Sequence, residues 1–398
     1  MSFEKLSDYC GRILLVLVLL IQPVLAENGV TKTEILLGSS LALEGHASYL
    51  GLQTIHGALA YLNEINESGG IYGRKIKVIT YNDGYEPEPC IQNTNKLINE
   101  DQVFALFCYV GTPTSVKIIP IVEKAQIPLL GLFTGAEVLR EPVKRYIFNV
   151  RASYYDETGG MIQHFWEDLG VRKIAVFYQN DDYGQAGLAG VELALRKYQS
   201  IPVAEGTYER GSEDITNALQ TIRKANPEAV VMIGVYGPCA RFIQSAKWSG
   251  FNPYFHNVSF VGAKQMARLL GAGRDSDGVI VTQVVPPPTS AHAAIEQYRQ
   301  LLKKHYPQEA PSFVSLEGFM NAKVLVGILK KVGPNLTRER FIQVAERLTD
   351  FDLGMNIAIS YSPENHRGLN QVYYTIIKNS KYELITDWKA VKAARQQR

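Results

Sequence analysis

The sequence predicts an α/β protein made of two lobes with parallel sheets, the chain crossing between them more than once. Three observations carry this. Strand-like apolar runs alternate with amphipathic helical segments along most of the chain. The alternation comes in two runs, roughly Thr33–Asn149 and Arg172–Gln283. At 398 residues the chain exceeds what one ordinary core accommodates.

Residues 1–26 read as a signal peptide. Lys5 and Arg12 precede an apolar run from Ile13 to Leu25, and Val24-Leu25-Ala26 places small residues where a signal peptidase cuts. Export to the periplasm follows from this reading. Glu34–Ser39 is then a short apolar strand. Leu52, Ile55, Leu59 and Leu62 recur at helical spacing, and Gly69-Gly70 and Gly73 break that helix. Lys75–Tyr81 alternates polar and apolar as a strand does, and Pro87 and Pro89 open a helix ending near Asn99. Val103–Cys108, a helix over Pro113–Ala125 and Ile127–Gly131 complete the first run.

In the second run, Lys173–Gln179 is a strand, followed by helices at Gly184–Tyr198 and Glu213–Lys224. Ala229–Val235 is a near-continuous apolar strand, which implies burial on both faces. A helix over Pro238–Ser249 and a strand over Gly278–Gln283 follow. Beyond these lie helical stretches at Ala291–His305, Ser312–Lys331 and Arg338–Leu348, and a late strand pair at Asn356–Ser360 and Gln371–Ile377. The chain is expected to cross between the lobes more than once, and Pro286-Pro287-Pro288 sits where a crossover would.

Lys and Arg total 41 against 39 Asp and Glu, a net charge of +2. A nucleic-acid binder would carry a stronger basic bias. Past the leader the chain keeps Cys90, Cys108 and Cys239. A Cys90–Cys108 disulfide and three buried thiols are both compatible with an oxidising compartment. The sequence has no P-loop, no Gly-x-Gly-x-x-Gly after the first strand, no His-Glu-x-x-His and no Gly-x-Ser-x-Gly. It therefore assigns no catalytic residue, no metal and no cofactor.

Ligands of open parallel sheets sit beyond the carboxyl ends of strands. Hydroxyls, glycines and tyrosines recur there, in Leu41–Gly51, Tyr109–Ser115, Phe133–Ala136, Ser153–Asp156, Tyr183-Gly184, Tyr236–Pro238 and Asn257–Ser259. Thr112 reads as a helix N-cap with Pro113 at the first helical position, which turns free N–H groups and the positive helix end toward a bound anion. The candidate ligand-binding residues are Tyr109, Thr112, Thr134, Gly135, Tyr155, Tyr183, Tyr236 and Ser259.

Four segments carry a resemblance to a known family: ILLGSSLALEGHASYLGLQTIHGALAYLNEINESGGIYGRKIKVITYNDG, FCYVGTPTSVKIIPIVEKAQIPLLGLFTGAEVLR, DDYGQAGLAGVELAL and VVMIGVYGPCARFIQSAKWSGF. Together they resemble the branched-chain amino-acid (Leu/Ile/Val) binding type of ABC-transporter periplasmic binding proteins, over nearly all of the chain past residue 26. The resemblance implies a type I periplasmic-binding fold, a monomer, and delivery of a small ligand to an inner-membrane permease and ATPase. In that fold two Rossmann-like lobes with parallel sheets are joined by three hinge crossovers, expected here near Asn149–Arg151, Gln283–Pro287 and Leu353–Asn356. One lobe would then comprise residues 27–150 with 284–355, the other 151–283 with 356–398. A sensory receptor feeding a membrane signalling protein is the alternative. It further implies that the loops Tyr109–Ser115 and Phe133–Gly135 hold a ligand carboxylate, and that Tyr183 and Tyr236 close over the ligand. Two departures stand out. Tyr109 replaces a serine, and Ser259 stands near the acid that pairs a ligand ammonium in the amino-acid binders. Glu44, Asp156 and Asp182 are candidate replacements for that acid.

Overall fold

The computed structural model describes residues 27–273, 275–379 and 381–396. The signal peptide expected at 1–26 lies outside them. The first sheet runs β2-β1-β3-β4-β5, all parallel: β1 is Glu34–Leu41, β2 Lys75–Asn82, β3 Ala105–Phe107, β4 Leu129–Leu130 and β5 Ile147–Phe148. Three helices connect the first four strands: α1 (Ser48–Glu67), α2 (Pro87–Asn99) and α3 (Thr112–Ala125). Each connection is the crossover that a parallel sheet requires.

The chain then enters a second sheet, ordered β14-β13-β10-β9-β8-β6-β7. Its helices and strands follow in sequence: α4 (Tyr154–His164), β6 (Ile174–Gln179), α5 (Asp182–Arg196), β7 (Glu205–Tyr208), α6 (Thr216–Ala225), β8 (Ala229–Ile233), α7 (Tyr236–Trp248), β9 (Tyr254–Asn257), α8 (Ala263–Leu270) and β10 (Ile280–Gln283). Strand β8 is buried at every residue, as its unbroken apolar run predicts.

Three further helices follow: α9 (Ala293–His305), α10 (Phe313–Val332) and α11 (Arg338–Ala345). The first two pack back on α1. The α1–α10 approach is set by glycine. A Cβ on Gly57 would lie 1.8 Å from the Ser315 carbonyl oxygen, and one on Gly318 2.0 Å from that of Thr54. Only glycine allows two helix backbones so close.

The end of the chain departs from the sequence-based expectation. Asn356–Ser360 and Gln371–Ile377 do not pair with each other. A short strand β11 (Phe351–Asp352) pairs antiparallel with β12 (Ala358–Ile359), and Leu353–Asn356 belongs to the turn between them. Strand β13 (Tyr373–Lys378) instead lies antiparallel on β10, with β14 (Lys381–Leu384) outside it and helix α12 (Trp388–Gln396) last. The second sheet is thus parallel with an antiparallel edge. Strand β7, helices α4 and α8, and β9 are elements that the periodicity did not reveal. Strand β9 is short, and its Tyr-Phe-His-Asn sequence has no alternation to read.

Two passages between the sheets run side by side. Asn149 N–H donates to the His366 carbonyl (3.0 Å), and Leu369 N–H to the Val150 carbonyl (2.8 Å). Tyr361 Oη donates to the Asn149 carbonyl at 2.8 Å. These bonds hold residues 149–150 and 366–369 together as a two-stranded joint between the lobes.

Candidate functional site

The carboxyl ends of both sheets converge on one buried interface of packed aromatic rings. Phe260, on a short 3-10 turn after β9, reaches from the second lobe to the first. Its ring centroid lies 5.8 Å from that of Tyr85, 5.5 Å from Phe133 and 4.6 Å from Tyr183. Tyr154 joins the same wall, 5.4 Å from Tyr183. All five rings are at most 1 % exposed. Offset and tilted pairs of this kind are favourable beyond the area they bury.

Polar contacts close the interface around these rings. Gln179 Nε2 donates to Tyr85 Oη at 3.4 Å. Arg210 and Glu86 meet at 3.0 Å, and Lys264 Nζ donates to the Ala310 carbonyl at 2.8 Å. Tyr49 and Tyr236 face each other edge-on at 6.1 Å.

Beneath the rings lies a buried charge cluster. Arg151 stands just past β5 and Glu157 on the first turns of α4. Arg151 Nη2 donates to Glu157 Oε1 at 3.1 Å and to Ser259 Oγ. Glu157 also accepts from Ser259 Oγ (2.9 Å), the Ser259 N–H (2.7 Å) and Thr282 Oγ1 (2.6 Å). Glu317, on α10 of the first lobe, approaches Arg151 Nη1 at 3.5 Å. Burial pushes its carboxyl up to about 7, against the pull of Arg151. Arg140 sits nearby and donates to the carbonyls of Ala136, Thr134 and Arg151. Two arginines thus face two glutamates in a dry setting, where unpaired charge is costly.

The candidate residues from the sequence divide into two groups. Thr112 Oγ1 and Thr134 Oγ1 share a hydrogen bond of 2.6 Å, and Gly135 lies against Tyr154, whose N–H its carbonyl accepts at 2.7 Å. Tyr183 and Ser259 belong to the interface, and Tyr236 flanks it through Tyr49. Tyr109 and Tyr155 do not join. Tyr109 Oη bonds Thr94 Oγ1 on α2 at 3.1 Å, inside the first lobe, and Tyr155 packs along α5 beside Gly190. Thr112 is not the N-cap of α3. Gly111, at φ 105°, takes that position, and the Thr112 hydroxyl is held by Thr134.

None of the three acids suggested as replacements reaches Ser259 in its hydrogen bonds. Asp156 completes a capping box with Ser153, Glu44 accepts from Asn82, and Asp182 opens α5. Glu157 holds Ser259 instead. Arg151, Glu157, Glu317, Tyr85 and Phe260 were missed by the strand-end reading. Glu317 carried a signal, as a lone carboxylate within the otherwise apolar face of Phe313–Val332. Cys90, Cys108 and Cys239 are free buried thiols, so Cys90 and Cys108 are not bridged.

A family model described as periplasmic binding protein matches residues 34–381. An amino acid binding protein of Pseudomonas aeruginosa is 23 % identical over 294 residues, covering 71 % of this chain and 76 % of its own. A crystal structure of a possible leucine/isoleucine/valine-binding protein from Rhodopirellula baltica superposes with a TM-score of 0.86 at 33 % identity, over 90 % of this chain and 98 % of that one. A fatty acid ABC transporter substrate-binding protein from Thermomonospora curvata shares the fold at a TM-score of 0.83 and 19 % identity, over 90 % and 93 % of the two chains.

Proposed function

The chain belongs to the periplasmic binding protein family, and from that premise we propose that it is the solute receptor of an ABC-type importer. Exported to the periplasm, it closes its lobes on a small carboxylate-bearing or similarly polar ligand. The closed form then docks on an inner-membrane permease and ATPase complex. Closure shifts a two-state equilibrium by the ligand's differential affinity for the closed form.

One observation carries this reading. Phe260 of the second lobe packs against Tyr85 and Phe133 of the first. Such a cluster can form only when the lobes meet. The two-stranded joint at residues 149–150 and 366–369 supplies a place to bend. The likeness to the amino acid binding protein of P. aeruginosa supports a small polar solute.

A thermal-shift screen of the chain from residue 27 tests the reading. The panel holds amino acids, 2-oxo acids, aryl acids, amides and fatty acids. Binding to the native state raises Tm by mass action. Compaction on adding the hit, seen by small-angle scattering, is the expected companion result. A complete absence of hits would overturn the receptor reading.

A further inference from the structure

The interface holds polar groups that its own folding leaves unpaired. Among the described residues, Arg151 Nε and Nη1, Tyr154 Oη and Glu317 Oε1 are buried without a hydrogen-bond partner. Native interiors rarely leave such groups alone, because each costs the desolvation of a polar atom. Four of them gathered at one place mark a ligand subsite.

The sign of that subsite follows from the partners. Glu157 already accepts from Ser259 twice, from Thr282 and from Arg151, which uses its lone pairs within the second lobe. It anchors one nitrogen of the guanidinium; Nη1 meets only Glu317 Oε1, at 3.5 Å and short of a hydrogen bond, and Nε has no hydrogen-bond partner. Arg151 also lies 5.0 Å from the Phe133 ring and 5.8 Å from that of Tyr154, so the aromatic wall already receives a cation. A second cation would meet Arg151, with Arg140 close behind, at low dielectric. The open donors belong to Arg151 and Tyr154. Among these four atoms the acceptor, Glu317 Oε1, is already an ion-pair partner of Arg151.

We propose that the interface binds its ligand on Arg151 as an anion: a carboxylate with an apolar or aromatic body and no ammonium, such as a 2-oxo acid or an aryl acid. This deepens the solute-receptor reading and rests on it. The ligand carboxylate accepts from Arg151 Nε, from Nη1 in place of Glu317, and from Tyr154 Oη. Phe260, Tyr183 and Tyr85 cover the body. Glu317 then gives up its role as counter-ion and takes a proton, which keeps the cluster of Arg140, Arg151, Glu157 and ligand neutral. The charged and titratable groups facing Glu317 are Arg151 from the crossover, Glu157 from α4, Arg140 ahead of β5 and the Cys108 thiol beyond β3. Of the carboxyls among them, Glu317 alone lacks a full set of donors, so it is the one free to protonate.

Matched ligand pairs test this by titration calorimetry. Phenylpyruvate against phenylalanine, and 4-methyl-2-oxopentanoate against leucine, differ only in an oxo group where the amino acid has an ammonium. The oxo member of a binding pair should be tighter by about 10- to 100-fold, the cost of an unmatched charged donor. Its affinity should fall by up to about tenfold per pH unit above pH ~7, as binding draws a proton onto Glu317. Glu317→Gln should retain affinity near neutral pH and flatten that dependence. Arg151→Gln should lose about 10- to 100-fold. If Arg151→Gln does not fold, Glu317→Gln still decides. Tighter binding of the amino acid, or loss of binding in Glu317→Gln, would overturn the proposal and leave the receptor reading standing. Failure of every compound in the wider screen would remove both.

Discussion

Arg210 of the second lobe and Glu86 of the first form an ion pair at 3.0 Å across the closed cleft. Both are partly exposed, at 23 % and 46 % of their side chains, and Arg210 is also 3.6 Å from Asp181. The pair exists only while the lobes are together, so it biases closure rather than folding. Exposed pairs contribute roughly 0.2–1 kcal/mol. Glu86→Gln or Arg210→Gln should weaken the affinity for a ligand found in the screen by about 2- to 5-fold. High salt should shrink that difference, since it screens the wild-type pair. Titration at two ionic strengths checks both statements.

Phe260 makes the larger contribution to closure. Its ring is fully buried between residues of both lobes. Phe260→Ala leaves a cavity that only the closed form contains. Ligand affinity should drop by about 10- to 100-fold, while circular dichroism shows a folded chain. Unchanged affinity would place the ligand elsewhere.

Stability should carry a signature of Glu317. Its carboxyl rises from an ordinary 4.5 to about 7 because burial penalises the charged form. The folded state therefore holds this proton more tightly than the unfolded state. The contribution is fully present below the unfolded value and is lost as pH rises through the folded one, at up to about 1.4 kcal/mol per pH unit between them. Asp83, raised to about 6 by burial, adds a smaller loss of the same sign. Urea unfolding of wild type and Glu317→Gln at pH 5, 6, 7 and 8 isolates the Glu317 part. The variant should gain on wild type across that window, and parallel curves would contradict the assignment.

The thiols give an independent check of the core. Cys90, Cys108 and Cys239 are buried and free, and burial raises all three thiols well above their ordinary range. A thiol-reactive reagent should modify none of them in the native chain from residue 27, and all three after denaturation. Reductant should leave Tm unchanged.

Much of the first lobe was legible because its elements carry their own signals. Pro87 opens α2, Gly69 to Gly73 end α1, and the alternation of Lys75–Asn82 marks a half-buried strand. Short pieces escaped. Strand β5 spans two residues, too few for a period to show, whereas β4, just as short, was legible in the apolar run Ile127–Gly131. Thr112 misled because capping is a local rule, and a tertiary bond to Thr134 overrode it. Tyr109 misled for a similar reason. Its place beyond a strand was read correctly, but its hydroxyl turned inward to Thr94.

By itself, the sequence determined the α/β class, the two successive strand–helix runs and the recurrence of hydroxyls, glycines and tyrosines in the loops beyond the strands. These rest on periodicity, apolar run length and turn residues, all properties of neighbours along the chain. Tertiary structure alone decided the charge at the centre of the cleft. Arg151 with Glu157, Ser259 and Glu317 come from three separate stretches of chain, and no spacing rule links them. They meet because both sheets aim their carboxyl ends at one interface. Once there, low dielectric requires every charge to find a counter-ion, and that requirement makes Ser259 part of an arginine–glutamate cluster.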